Sequence, residues 1–582
     1  MKSLLALKKY FIRYKVKLLL GVLFILLSNL GTVYVPLFLK DSINALQKSV
    51  EYSVLVRYGL LIIATSFFSG VFRFLIRETI IVVSREIEYD LRQDFWSHIQ
   101  RLSLRYFQNN STGNIMAHAT NDLNAVRTFV GPAVMYSIDT LVRLIMVIVI
   151  MVSLSTTLTI YSLLPLPVLS YLVYKLGKKI HIKYTYIQEK FSELTTKAQE
   201  SFSGIRVIKS YVREDNEIQE YEALSHDYLE KNMDMVKIES MFQPALYLVT
   251  GISIILVIWL GGIQVINGTM NLGEISAFVI YLGLLIWPMI AIGWVVNLIQ
   301  QASASMKRLN KMLAEKYEIE DSENTDYSVE NIKGTVEFKN VSFRYAPELP
   351  YVFKDISLKI PAGMTAAIIG QTGAGKTTLV DLIPRLYDVT DGEVLIDGHN
   401  IKKIPLKALR KNIGLVPQET FLFSDTLANN IAYGLKETDM KVVTSSAEIA
   451  QLTKDIDAFP HGYETMLGER GITLSGGQKQ RTCLARALAI DPAILILDDS
   501  FSAVDTRTEE GILKNLRNFM KERTSIIISH RISTVKDADI IFVLSEGRIA
   551  EQGTHEDLVR KQGIYAGLHF KQLLEKELEE LS

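Results

Sequence analysis

Thr365-Ala-Ala-Ile-Ile-Gly370-Gln371-Thr372-Gly373-Ala374-Gly375-Lys376-Thr377-Thr378-Leu-Val-Asp-Leu-Ile383 decides the fold of the second half of this 582-residue chain. An apolar run, a glycine loop and a second apolar segment read as strand, loop and helix. Glycines let successive backbone N–H groups converge on phosphate oxygens at a helix N-terminus. In such a loop Lys376 reaches the outer phosphates and the Thr377 hydroxyl suits Mg²⁺. Further on, Ala493-Ile-Leu-Ile-Leu-Asp498-Asp499 reads as an interior parallel strand whose carboxyl end presents Asp498 to a phosphate-bound Mg²⁺ and Asp499 to an attacking water. The expectation is a doubly wound α/β nucleotide domain.

Five more segments lie in order around these two. They are Tyr345 in Phe343-Arg-Tyr, Gln418 in Val416-Pro-Gln, Gly468-Glu-Arg-Gly471 leading into Leu474-Ser475-Gly476-Gly477-Gln478-Lys-Gln-Arg481, Ser502-Ala-Val-Asp505, and His530 in Ile528-Ser-His-Arg. Over this stretch the chain resembles the ATP-binding cassette family. The resemblance implies ATP as the nucleotide, held by Gly370 to Thr378 with Tyr345 stacked on adenine. It implies a metal set of Thr377, Gln418 and Asp498, and a hydrolytic set of Asp499, Gln418 and His530, the last placed against the γ-phosphate. It also implies that Leu474 to Gln478 serve the nucleotide of an opposite subunit, so one copy per chain makes this a half-unit that needs a second half-transporter.

The family that this chain resembles carries Glu at the position of Asp499. Retracting a water-polarising carboxylate by about 1.5 Å should lower the rate on the order of a hundredfold, given how steeply catalysis depends on placement. The chain in this respect resembles the Asp-bearing subunit of bacterial heterodimeric exporters, whose own site is slow and whose intact signature completes the partner's site. A homodimer in which the shorter carboxylate works well enough is the alternative, as in a lipid flippase with two equivalent sites. A weakened site would also suit an ATP-gated membrane protein that does not transport.

The first half of the chain is of another kind. The chain is 48% hydrophobic with mean hydropathy +0.19. Apolar stretches near 16–39, 57–83, 130–153, 157–177, 242–266 and 275–300 each reach the ~20 residues that a spanning helix needs. Six spans put both ends on one side. Lys2, Lys8, Lys9, Arg13, Lys15 and Lys17 precede the first span and place the amino terminus in the cytoplasm by the positive-inside rule. No cleavage site follows a short apolar core, so the first span reads as retained. Ser155–Thr157 and Asn267–Glu274 read as short external connections. The long polar stretches 84–129 and 178–240 read as cytoplasmic helical hairpins with tips at Asn110–Asn114 and Ser203–Arg206.

Charges within the spans stand out. Arg73, Arg77 and Glu78 lie in the second and Asp139 and Arg143 in the third, four apart, where an i,i+4 pair neutralises itself. They serve either a substrate path or structural pairing. Tyr247, Trp259, Trp287 and Trp294 suit an interfacial belt better than a pocket wall. The 63 basic and 63 acidic residues balance and imply no nucleic-acid-binding surface, so no nucleic acid partner is expected. The single Cys483 excludes an internal disulfide.

The expected architecture is an all-α six-helix transmembrane domain (1–312), an acidic linker (313–334) and an α/β P-loop nucleotide-binding domain (335–582). The order resembles a multidrug-type exporter of the cell membrane, with the nucleotide domain cytoplasmic. Its expected contacts are membrane lipid and a hydrophobic or amphipathic substrate: a drug-like molecule, a lipid or a peptide.

Overall fold

The computed structural model describes residues 2–47 and 52–581. These form two compact units. One comprises the chain up to Gln100 together with Thr112–Glu315; the other comprises Arg101–Ser111 and the chain from Lys316 onward.

In the first unit, six long apolar helices are found among the described residues: Lys15–Gln47, Tyr52–Ile99, Thr112–Leu154, Thr156–Ser203, Glu214–Ile266 and Leu272–Leu313. A 48-residue helix is about 72 Å long, more than twice the ~30 Å hydrocarbon core of a bilayer. The charged ends therefore project well beyond any membrane. There the Thr156–Ser203 and Glu214–Ile266 helices run side by side, tied by Lys183–Asp234 (3.1 Å), Lys190–Asp227 (3.1 Å) and Lys197–Glu217 (2.9 Å). The short helix Ile205–Ser210 turns the hairpin. Within the apolar zone hydroxyls join the first two helices: Ser69 lies 3.2 Å from Ser28 and 2.9 Å from Thr32. Small polar residues at such contacts let helices approach closely without a hydrophobic driving force.

Of the in-span charges, Asp139 and Arg143 are paired by geometry. Arg143 lies 3.0 Å from Asp139 and also donates to the Asn29 side chain (3.0 Å), which in turn donates to Asp139 (2.8 Å). This triad borders a cavity of about 490 Å³ also lined by Arg73, Arg77, Tyr136 and Trp287. Trp287 is thus a cavity wall, edge-on to Tyr136 at 6.4 Å. Hydropathy gives depth along a helix but not the side it faces, so the interfacial-belt expectation fails for this residue. Glu78 is exposed.

The first hairpin tip also differs from expectation. Its short helix is Leu104–Asn109, and a new helix has begun by Thr112. Asn110-Ser-Thr-Gly-Asn has turn composition, but only Asn110 and Ser111 stay outside helix. The tip belongs to the second unit, where Ser103 donates to Glu318 (2.7 Å) and Gln108 bonds Tyr387.

The second unit holds two sheets. An antiparallel one has the order β2 (Phe353–Ile360), β1 (Val336–Phe343), β4 (Asp391–Ile396), β5 (His399–Asn400). The other runs β10 (Arg548–Gly553), β9 (Ile540–Ser545), β3 (Thr365–Gly370), β8 (Thr524–Ile528), β7 (Ile494–Asp498), β6 (Ile413–Val416). From β9 to β6 every pairing is parallel. β7 and β8 are buried at every residue, as expected for parallel strands covered on both faces.

Candidate nucleotide site

Parallel register builds the site. Ile368 of β3 pairs with Ile528 of β8, Ile528 with Asp498 of β7, and Leu497 with Val416 of β6. Gly370, His530, Asp498, Asp499 and Gln418 therefore emerge along one carboxyl edge, where open α/β sheets bind ligands. The phosphate loop follows β3 and ends at Gly375, whose φ of 92° starts the helix Lys376–Asp381. A Cβ there would lie 2.7 Å from Val352, so glycine is required on both counts.

Lys376 is buried, and its ammonium donates to the carbonyls of Gly370 (2.9 Å) and Gln371 (3.0 Å). Burial pulls its pKa down, against the opposing pull of Asp498 and Asp499. Asp498 is 2% exposed and accepts a hydrogen bond from the Thr377 hydroxyl. Burial pushes its pKa up; Asp499 adds to that, and Thr377, Lys376 and His530 oppose it. These electrostatic partners show Thr377, Lys376, Asp499 and His530 converging on one buried carboxylate. A buried carboxyl with a second beside it and a hydroxyl at hand is short of positive charge, which a hard divalent cation supplies. Oxygen donors few in number suit Mg²⁺, which keeps waters and phosphate oxygens in its shell.

Asp499 sits in the left-handed region at φ 44°, its N–H bonded to Ile528 O at 3.0 Å. Short carboxylates tolerate this region. His530 and Gln418 are exposed just beyond their strands. Tyr345 is half-buried, its hydroxyl 2.8 Å from Thr378 and its ring edge-on to Phe343 (5.0 Å) and Tyr387 (5.4 Å).

The signature opens the 14-residue helix Gly476–Ala489. Ser475 and Gln478 form a reciprocal cap: Ser475 N–H donates to Gln478 Oε1 (2.9 Å) and Gln478 N–H to Ser475 Oγ (3.3 Å). Ser475 and Gly476 are exposed, while Leu474 is buried beneath. Free N–H groups at this end of a long helix favour an anion.

Sequence reading gave no role to three residues here. Gln480 holds the Ser502–Asp505 turn, donating to Ser502 Oγ (2.8 Å) and accepting from Ala503 N–H (2.9 Å). Tyr387 backs Tyr345. Asp381 lies beside Asp498, and burial, reinforced by that neighbour, pushes its pKa to about 7. Asp381 sits on an ordinary apolar helix pattern and gives no sequence signal.

Comparison with known proteins agrees with this geometry. Residues 18–289 match the ABC transporter transmembrane region and residues 353–502 the ABC transporter nucleotide domain. The chain is 35% identical to the multidrug resistance-like ATP-binding protein MdlA of Buchnera aphidicola subsp. Schizaphis graminum, covering 94% of this chain and 93% of that one. It is 33% identical to the ATP-dependent lipid A-core flippase of Desulfotalea psychrophila, covering 96% and 97%. A solved structure of a bacterial Atm1-family ABC exporter with ATP bound superposes with a TM-score of 0.79 at 28% identity, covering 96% of this chain and 98% of that one. The chain belongs to the ATP-binding cassette transporter family, as a multi-pass membrane exporter whose nucleotide half is an ATPase coupled to transport.

Proposed function

We propose that the chain is one half of an asymmetric dimeric exporter of hydrophobic or amphipathic molecules, with a slow ATP site of its own. Asp499 carries this reading. Its backbone is pinned to Ile528 in a left-handed turn, so the chain cannot slide forward to make up for the missing methylene. ATP lies along the phosphate loop under Tyr345, with Lys376 on the outer phosphates. Thr377, Asp498 and Gln418 would hold Mg²⁺, which would neutralise charge on the phosphate oxygens. Asp499 orients water, and His530 donates to the γ-phosphate.

The exposed, well-capped signature completes the site of the partner subunit. Closure of two nucleotide domains on ATP reaches the membrane helices through the hairpin tips, which turn the cavity outward. Exposed Phe202, Tyr211 and Val212 at the second tip are apolar surface that suits a partner. The basic amino-terminal segment favours a cytoplasmic amino terminus and nucleotide domain, in the cell membrane. Aromatic and cationic walls around the cavity fit an amphipathic substrate.

A homodimeric lipid flippase is the second reading, favoured by the three arginines and single aspartate on the cavity wall. Mass measurement of the intact native assembly separates the two. A one-to-one complex with a second, Glu-bearing half supports asymmetry; two copies of this chain refute it.

A further inference from the structure

The last helix, Ile564–Leu581, has no part in the motifs above, yet its Gln572 reaches the loop that carries His530. Gln572 donates from Nε2 to the carbonyl of His530 at 2.6 Å and accepts the N–H of Ile532 at 2.9 Å. One side chain thus spans the peptide units on both sides of Arg531. Among the described residues the His530 imidazole has no hydrogen-bond partner, so the placement of its backbone weighs heavily in where the ring stands.

The helix is itself anchored. Glu551 on β10 accepts the N–H groups of Ile564 (2.6 Å) and Tyr565 (3.2 Å), a carboxylate where the helix dipole favours one. Tyr565 is fully buried and its hydroxyl lies 2.6 Å from His555 Nδ1. Gln572 stands eight residues, about 12 Å, along the helix from that anchor. On the far side of the loop, Glu509 takes Arg531 (2.5 Å) and the Thr534 hydroxyl (2.6 Å). Glu509 lies in the helix Thr506–Met520, whose cap is Asp505 of the Ser502–Asp505 turn.

We propose that Gln572 is a positioning residue for hydrolysis: the last helix is a strut that holds the His530 backbone, and so the imidazole, at the γ-phosphate. This rests on the reading of His530 as the γ-phosphate donor. Two hydrogen bonds set a backbone whose placement matters to within about an ångström, so loosening them should slow turnover without weakening ATP binding.

The test uses the full chain in its native assembly carrying Ser475→Arg, which blocks the faster site that this chain's signature completes, and compares in that background Gln572→Met, Gln572→Glu, His530→Ala and the Gln572→Met/His530→Ala double variant. Expected for Gln572→Met is a roughly tenfold fall in kcat with KM for ATP and the unfolding temperature unchanged. Gln572→Glu keeps the acceptor for Ile532 N–H but sets a carboxylate oxygen against the His530 carbonyl, so it should fall at least as far as Met. In the His530→Ala background the Gln572→Met change should have no further effect. A KM rise or a drop in unfolding temperature matching the lost activity, or full additivity in the double variant, overturns the strut. If His530→Ala is impaired and both Gln572 variants turn over normally, the strut fails alone. If His530→Ala itself turns over normally, the reading of His530 fails and the strut with it.

Discussion

Asp499→Glu tests the slow site directly. The substitution adds one methylene and advances the carboxylate by about 1.5 Å. A 1 Å misplacement is worth about a hundredfold in rate, or roughly 2.7 kcal/mol at 1.36 per decade. The turn opposes part of this. Position 499 sits at φ 44°, held by its N–H to Ile528, and a longer side chain in the left-handed region costs about 1–2 kcal/mol, where Asp is tolerated. The net gain is about 1 kcal/mol, so hydrolysis at this site should rise roughly five- to tenfold. Single-turnover hydrolysis is measured in the native assembly carrying Ser475→Arg, which blocks the site that this chain's signature completes. A rate unchanged or lowered by Asp499→Glu refutes carboxylate reach as the limit. Loss of all hydrolysis with Ser475→Arg alone shows that every site depends on this signature, as in a homodimer.

Asp381 carries a pH signature. Its folded pKa near 7 lies above the ordinary 3.8, so between about pH 4 and pH 7 the folded chain keeps a proton that the unfolded chain has released. Stability should fall as pH rises through that window and level off above it; Asp381→Asn should flatten the slope, read as unfolding temperature from pH 5 to 8 without nucleotide or Mg²⁺. Gly477→Ala puts a Cβ 2.9 Å from the Ala503 carbonyl oxygen, which must then move the Ser502–Asp505 turn. Overpacking of this order is worth about 1–3 kcal/mol, so ATPase turnover should drop about tenfold or more while ATP binding to the phosphate loop stays intact in a nucleotide-binding assay. Arg143→Met strands Asp139 in the triad with Asn29. Removing one member of a fully buried pair costs roughly 3–5 kcal/mol; this pair is only part-buried at a cavity, so the loss should fall short of that, and Asp139→Asn added to it should restore much of the unfolding temperature in detergent.

How far the sequence shows these features depends on the range of the interaction. The phosphate loop, Asp498 and the signature cap are local: each is a run of neighbours whose backbone needs dictate residue type, and Gly375 at φ 92° is the plainest case. Six apolar runs separated by charged stretches give the membrane helices by length alone. The Asp139–Arg143 pair is visible because a helix brings i and i+4 together, but Asn29, its third member, comes from another helix with no spacing rule to point to it. Trp287 and the first hairpin tip were misplaced for a related reason, since a helix pattern fixes neither which face meets a cavity nor how few residues a turn needs.

The same distinction bears on where this chain's hydrolysis is controlled. Asp498, Asp499 and His530 are adjacent because β7 and β8 are register neighbours, and that adjacency is set by the sheet. The loops that leave those strands are held by side chains away from the nucleotide: Gln480 at the end of the signature grips the Ser502–Asp505 turn, Glu509 grips Arg531 and Thr534, and Gln572 grips the backbone around Arg531. Each amide or carboxylate bonds two groups at once, so one movement of its helix shifts a whole loop. The signature helix carries Gln480 and the helix after the turn carries Glu509, so movement of the signature on a partner's nucleotide bears on the Ser502–Asp505 turn, and through its helix on the loop beside His530. The slow site proposed above would not leave this chain passive, because the groups that would sense the partner's ATP are joined through hydrogen bonds to the groups that face its own.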